Sequence, residues 1–201
     1  MTYETAVAFI SFAFAMAISP GPGNFLLMTS GANFGFARTL PLIIGLCIGA
    51  VTMVFCVGLG LSQILEQYPA IYDLLRMACG IYVLWLAFQI ARSKSLGAEK
   101  DEDMAKPIGL IQGALLQFLN PKAWTVSLII TATYTTPTNY IPSLILLLPL
   151  FAMTIIPSVS VWAISGSALR KCLSKGNWIT VFNTSMALLL VVSMGSMLLN
   201  I

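Results

Sequence analysis

"ISPGPGNFLL", residues 18–27, sets Pro20, Gly21, Pro22 and Gly23 inside a run otherwise apolar enough to cross a membrane. Proline has no amide hydrogen, so Pro20 and Pro22 leave the carbonyls of Met16 and Ile18 without helical partners, and the two glycines let the backbone unwind. In lipid each orphaned carbonyl costs several kcal/mol unless protein or water meets it. The stretch therefore predicts a helix broken inside the membrane, its break facing a cavity or neighbouring helices.

Composition agrees with the membrane reading. Of 201 residues, 58% are hydrophobic and 8% charged, with mean hydropathy +0.91, where a soluble domain is roughly 25% charged. A bilayer core needs roughly 20 apolar residues per helical span, and the stretches 4–30, 39–63, 69–91, 108–134, 141–169 and 178–199 supply them. The expected fold is all-α: a polytopic membrane protein of six transmembrane helices in one domain, 1–201. Repeat one covers about 1–91, a cytoplasmic linker 92–107 and repeat two about 108–201. Ala15-Met16-Ala17 resembles a signal cleavage site, but residues 1–4 carry no Lys or Arg and the apolar run continues past it. The segment is read as a span.

Orientation follows the basic residues between spans. Arg38, then Arg92, Lys94, Lys100 and Lys106, then Arg170, Lys171 and Lys175 fall in the first, third and fifth loops, against Arg76 alone on the other side. Those loops are expected in the cytoplasm and both termini outside. The net charge of +3 is thereby accounted for without nucleic acid. Cys47, Cys56, Cys79 and Cys172 have no metal-type spacing and read as free apolar thiols.

The fourth span repeats the break in "LLQFLNPKAW", residues 115–124, where Pro121 frees the carbonyl of Gln117 and Asn120 can bond exposed backbone. Spans one and four correspond if two three-span halves are inverted, and paired interrupted helices point to a transporter site at the midplane. The plainer alternative is a pair of structural kinks. Lys122 adds weight to a site: at mid-span a charge costs at least about 2.5 to 3.5 kcal/mol, and no Asp, Glu or His lies in the middle of any span. An anionic group on a bound substrate would supply its counterion. The alternative is a structural lysine bonded to loose carbonyls of the first span.

Pro20, Gly21, Pro22 and Asn24, Gly45 and Gly49, Gly80 and Tyr82, and Asn120, Pro121 and Lys122 form a pattern that resembles the LysE/RhtB amino-acid exporters of the lysine exporter superfamily, over essentially the whole chain. It looks most like the branch handling homoserine, threonine, cysteine or related small amino acids. The resemblance implies efflux across the inner membrane, in exchange for protons. Gly23 departs from the pattern, since many members carry a larger residue there.

The expected mechanism places a zwitterion at the break. Amides near Gly23 and Asn24, at the positive end of the second half-helix, hold the carboxylate with Lys122. Carbonyls freed at Met16, Ile18 and Gln117, with Asn24 and Asn120, accept from the ammonium. Lys122 is also the proton-coupling candidate. Gln112, Gln117 and Asn183 are further lining candidates; Ser158, Ser160, Ser165 and Ser167 read equally as the lining of an inner vestibule or as ordinary interhelical hydrogen-bonding groups. Small-residue pairs Gly31/Gly35, Gly45/Gly49 and Gly109/Gly113 predict close helix packing within one subunit, with a homo-oligomer left open. No cofactor, metal site or enzyme chemistry is expected. The competing readings are an ion or metal transporter, which would want buried carboxylate, His or paired Cys ligands, and a non-transporting regulatory subunit.

Overall fold

The computed structural model describes residues 1–92, 107–175 and 177–199. Most of the linker expected at 92–107, and the side chains of Arg76 and Cys79, lie outside the described residues. The helices are α1 (Tyr3–Ile18), α2 (Pro22–Phe34), α3 (Phe36–Gly58), α4 (Leu61–Gln67), α5 (Pro69–Arg92), α6 (Leu110–Phe118), α7 (Pro121–Thr133), α8 (Tyr140–Leu173) and α9 (Trp178–Leu199), with a 3-10 turn at Pro137–Asn139. No strand occurs among the described residues.

Both breaks fall where proline forbids a continuing ladder. α1 ends at Ser19, whose backbone is extended, and α2 restarts with Pro22 as its first residue, the position where a missing N–H costs nothing. The two pieces meet at 59°. α6 stops at Leu119, and Asn120 caps an α7 that again opens on proline. By length and hydropathy α3 and the helical run at 137–173 are each long and apolar enough to cross a membrane, and the bent α1–α2 pair is so when counted as one broken span. α3 has 23 residues, about 34 Å of helix against a hydrocarbon core of about 30 Å. Pro149 and Pro157 lie inside α8 without ending it.

The long helices interlock with the broken ones: α3 lies on both α6 and α7, and α8 on both α1 and α2, while α5 packs on α9. Glycine sets the closest approaches. A Cβ on Gly45 or Gly49 of α3 would strike the carbonyls of Leu110 or Ala114 in α6, and one on Gly113 would meet the Leu42 carbonyl in return. Gly31 of α2 lies against the Ala163 carbonyl and Gly166 of α8 against that of Met28. Four of the six expected small-residue positions thus serve packing within the subunit. Gly35 instead takes φ +82° in the one-residue joint between α2 and α3, and Gly109 has room for a side chain. Gly166 was not anticipated.

Large apolar side chains lie both inside the bundle and on its surface. Phe9, Leu27, Leu42, Ile130, Leu144 and Leu190 are fully buried, while Ile81, Ile111 and Met153 are each at least 70% exposed. Such a surface suits lipid. Where helices already sit in hydrocarbon, packing and backbone proximity hold them together, so the glycine seams should be sensitive to a single methyl. Gly166→Val is expected to lower the melting temperature in detergent by the equivalent of about 1–3 kcal/mol or more, whereas Gly80→Ala, with nothing within 4 Å of the new Cβ, should leave it unchanged or raise it. Equal melting of the two variants would count against glycine as the spacer.

Candidate functional site: a broken helix gripped from two sides

Four carbonyls end α1, and every one has a donor. Ser19 N donates to Ala15 O at 3.1 Å and Ser19 Oγ to Met16 O at 2.9 Å. Asn24 Nδ2 donates to Ala17 O at 2.8 Å, and Trp162 Nε1 of α8 reaches Ile18 O at 3.1 Å. One residue further on, Ser19 O accepts from Asn24 Nδ2 at 2.8 Å and from Lys122 Nζ at 2.8 Å. Lys122 Nζ also donates to Ser19 Oγ at 2.8 Å. The unwound segment is thereby held from α7 by a lysine and from α8 by a tryptophan.

Lys122 sits where helix electrostatics favour it. The C-terminal end of α1 carries partial negative charge, and the ammonium meets it through Ser19 rather than through a carboxylate. Two of its three donors are used there. The side chain runs over Gly21, where an added Cβ would come within 3.1 Å of Lys122 Cδ. Gly21 has φ −176°, so the backbone itself carries no strain there; an added side chain would crowd the lysine stem, which would have to give by a few tenths of an ångström. The carbonyls freed at Met16 and Ile18 are taken up by Ser19 and Trp162, and Gln117 O accepts from Asn120 N at 3.1 Å.

The two restarting helices differ at their N-termini. Asn120 Oδ1 caps α7 by accepting from Lys122 N at 3.1 Å, and Asn120 O accepts from Ala123 N and Trp124 N. α2 has Gly21 at its cap and no side-chain bond there; after Pro22, the first intrahelical bond runs from Phe25 N to Gly21 O. The amides of Gly23 and Asn24 therefore form an uncapped positive end.

That end opens on a cavity of about 80 Å³. Gly21, Gly23, Asn24, Gln117, Asn120 and Lys122 make its polar side; Ala13, Cys47, Ala50, Val126, Phe151 and Ile155 make its apolar side. Pockets for drug-sized ligands run to roughly 300–1,000 Å³; this one fits something much smaller. A Cβ on Gly23 would make only ordinary contact with Leu46 at 3.6 Å, so packing does not require glycine there. Of the expected lining residues, Gln117 is present, its Oε1 accepting from Asn120 Nδ2 at 3.1 Å. Asn183 is not: fully buried, it exchanges amide hydrogen bonds with Asn33 of α2. Ser158 and Ser160 donate to carbonyls of their own helix, and Gln112 lines a different cavity.

Sequence reading missed Ser19, Trp162 and Cys47 as parts of the site. Trp162 lay in view, since a tryptophan far from either interface is out of its usual place, but its partner is 144 residues away. Among the described residues no three His, Cys, Asp or Glu come together as a metal would need, and Cys47, Cys56 and Cys172 are free.

An apolar helical bundle with two broken helices meeting at a small polar cavity has the form of a membrane carrier. The chain belongs to the LysE type translocator family, whose model matches residues 14–199. Curated relatives named cysteine/O-acetylserine efflux protein, from Escherichia coli (strain K12), Shigella sonnei and Salmonella choleraesuis, are each 31% identical over 138 residues, 68% of this chain and 69% of theirs. No solved structure matches significantly.

Asn24→Leu should remove two hydrogen bonds and leave Ala17 O bare, a loss of about 1–3 kcal/mol read as a lower melting temperature in detergent. An unchanged melting temperature would mean that this amide does not hold the break.

Proposed function

We propose that the protein exports small neutral amino acids or their derivatives, cysteine and O-acetylserine first among them, from the cytoplasm across the inner membrane in exchange for protons. The observation that carries this reading is the pairing at one cavity of an uncapped helix N-terminus, Gly23 and Asn24, with a carbonyl-rich helix C-terminus held by Lys122. A zwitterion needs both. Its carboxylate takes the Gly23 and Asn24 amides and a Lys122 N–H, and its ammonium takes Ser19 O, with Asn120 and Gln117 at hand. The side chain then lies among Ala13, Cys47 and Ala50, where there is space for a small group and none of the charge that a basic or acidic side chain would need.

Substrate ammonium and Lys122 ammonium compete for the same oxygens. Exchange follows from that competition: the zwitterion settles once Lys122 has released its proton, and the empty carrier returns with Lys122 protonated on Ser19. One cation always satisfies the α1 end, so neither state leaves it bare. Pro20, Gly21, Pro22 and Pro121 are the backbone devices that expose these groups.

The reciprocal packing of α3 on α6–α7 and of α8 on α1–α2 supports two inverted three-helix repeats, 1–91 and 108–201, rocking about the site. Six spans, a cytoplasmic linker at 92–107 and external termini complete the topology, on the strength of Arg38, Arg92, Arg170, Lys171 and Lys175 at one end of the bundle. No specific observation favours ion transport or a regulatory role.

The test is uptake of radiolabelled cysteine and O-acetylserine into inside-out vesicles with an acid lumen. The parent should accumulate label. Lys122→Gln, which keeps a donor but cannot carry a proton, should lose gradient-driven accumulation at least tenfold. Accumulation by Lys122→Gln at the parental level, or none by the parent, would overturn the reading.

A further inference from the structure

A second cavity, of about 330 Å³, lies between α2, α5 and α6 toward the end of the bundle that carries the basic residues. It shares no lining residue with the central cavity, yet it continues along the same helix. Gly23 lines the central cavity and Leu26, Ser30 and Asn33 the second, positions that follow one another down a single face of α2. From Asn24 to Thr29 is about 7.5 Å of helix. The second cavity is several times the larger, and its wall includes the Gln89 amide, which makes no hydrogen bond among the described residues, together with Gln112 and Trp85. Its wall is largely apolar, with Thr29, Ser30, Asn33, Gln89 and Gln112 as its polar groups and no charged residue lining it.

At the opposite end stands an aromatic cluster. Inversion of the repeats sets α7, α1 and α9 where α2, α6 and α5 stand. There Tyr134, at the end of α7, meets Phe9 of α1 edge-on with centroids 5.2 Å apart and Phe12 at 5.7 Å, while Phe9 lies 6.3 Å from Phe151. Phe9 is wholly buried. The rings of α1, α8 and the end of α7 thus close on one another at the end opposite the α2–α5–α6 cavity.

We propose that the α2–α5–α6 cavity is the cytoplasmic loading chamber through which the zwitterionic substrate reaches the central site, with Gln89 as its first polar contact, and that the Phe9–Phe12–Tyr134–Phe151 cluster is the closed exit. This rests on the exporter reading for its cargo, but its geometry can be tested without any cargo. Neutral amides suit a zwitterion in transit because they pair with both of its ends and hold neither as tightly as a charge would.

Cys47, in the wall of the central cavity, reports access. In a chain with Cys56, Cys79 and Cys172 replaced by alanine, the membrane-impermeant reagent 2-(trimethylammonium)ethyl methanethiosulfonate should label Cys47 at least tenfold faster in inside-out than in right-side-out vesicles. Gln89→Trp, which fills the chamber from α5, should slow that labelling at least tenfold; Gln112→Trp does the same from α6 should the first variant fold poorly. In right-side-out vesicles Phe9→Ala should speed labelling. Equal labelling from both faces, or labelling indifferent to both tryptophans, would overturn the chamber, the latter pointing to a lipid-filled gap. Labelling as expected with no amino-acid uptake would leave the chamber standing and sink the exporter reading alone.

Discussion

Lys122 Nζ lies 2.8 Å from both the carbonyl and the hydroxyl oxygen of Ser19, across 103 residues of chain. Much of the rest depends on this contact. A proline pair opens α1–α2 in a medium that offers no water, and the exposed carbonyls must find donors inside the protein. Asn24 supplies two bonds from within the same helix pair. Ser19 meets Ala15 O and Met16 O itself, while Trp162 and Lys122 reach Ile18 O and Ser19 O from α8 and α7, which fixes how those helices sit against the break. Glycine at 21 leaves room for the lysine stem that passes over it.

The two breaks are alike in sequence and unlike in electrostatics. Asn120 closes the N-terminus of α7 with its side chain and its carbonyl, whereas Gly21 has no side chain with which to close that of α2. One helix end is thus closed by its own cap residue and the other left without a side-chain cap. A lysine near the positive end of its own helix, α7, is stabilised by the negative end of another, α1, so its charge needs no acidic residue. This accounts for a part-buried lysine with no carboxylate bonded to it among the described residues.

Proline and glycine made both breaks legible in the sequence, since their effect is local and needs no partner. Helix bounds came within a few residues for the same reason: α9 begins and ends as expected at 178–199, and α5 exceeds its expected span by one residue. The second span was placed too far along, because α3 ends at Gly58 and Gly60 turns the chain at φ +102° into α4. Within the site, Lys122 and Asn24 could be named from type and depth. What they touch could not, because Trp162 to Ile18 and Asn33 to Asn183 are meetings across about 150 residues that local pattern does not encode. Asn183 shows the cost: a polar residue in a span reads as pore lining, and here it is buried against another asparagine.

The central claim is that the break binds a zwitterion by its two charged ends. Calorimetric binding to the purified protein tests it most directly, comparing cysteine with its methyl ester, which lacks the carboxylate, and with N-acetylcysteine, which lacks the ammonium. Cysteine should bind, and each derivative should bind at least tenfold more weakly, a difference of about 1.4 kcal/mol or more. Equal affinity for all three would contradict the account, placing recognition on the side chain and leaving Lys122 a purely structural brace for the broken helix.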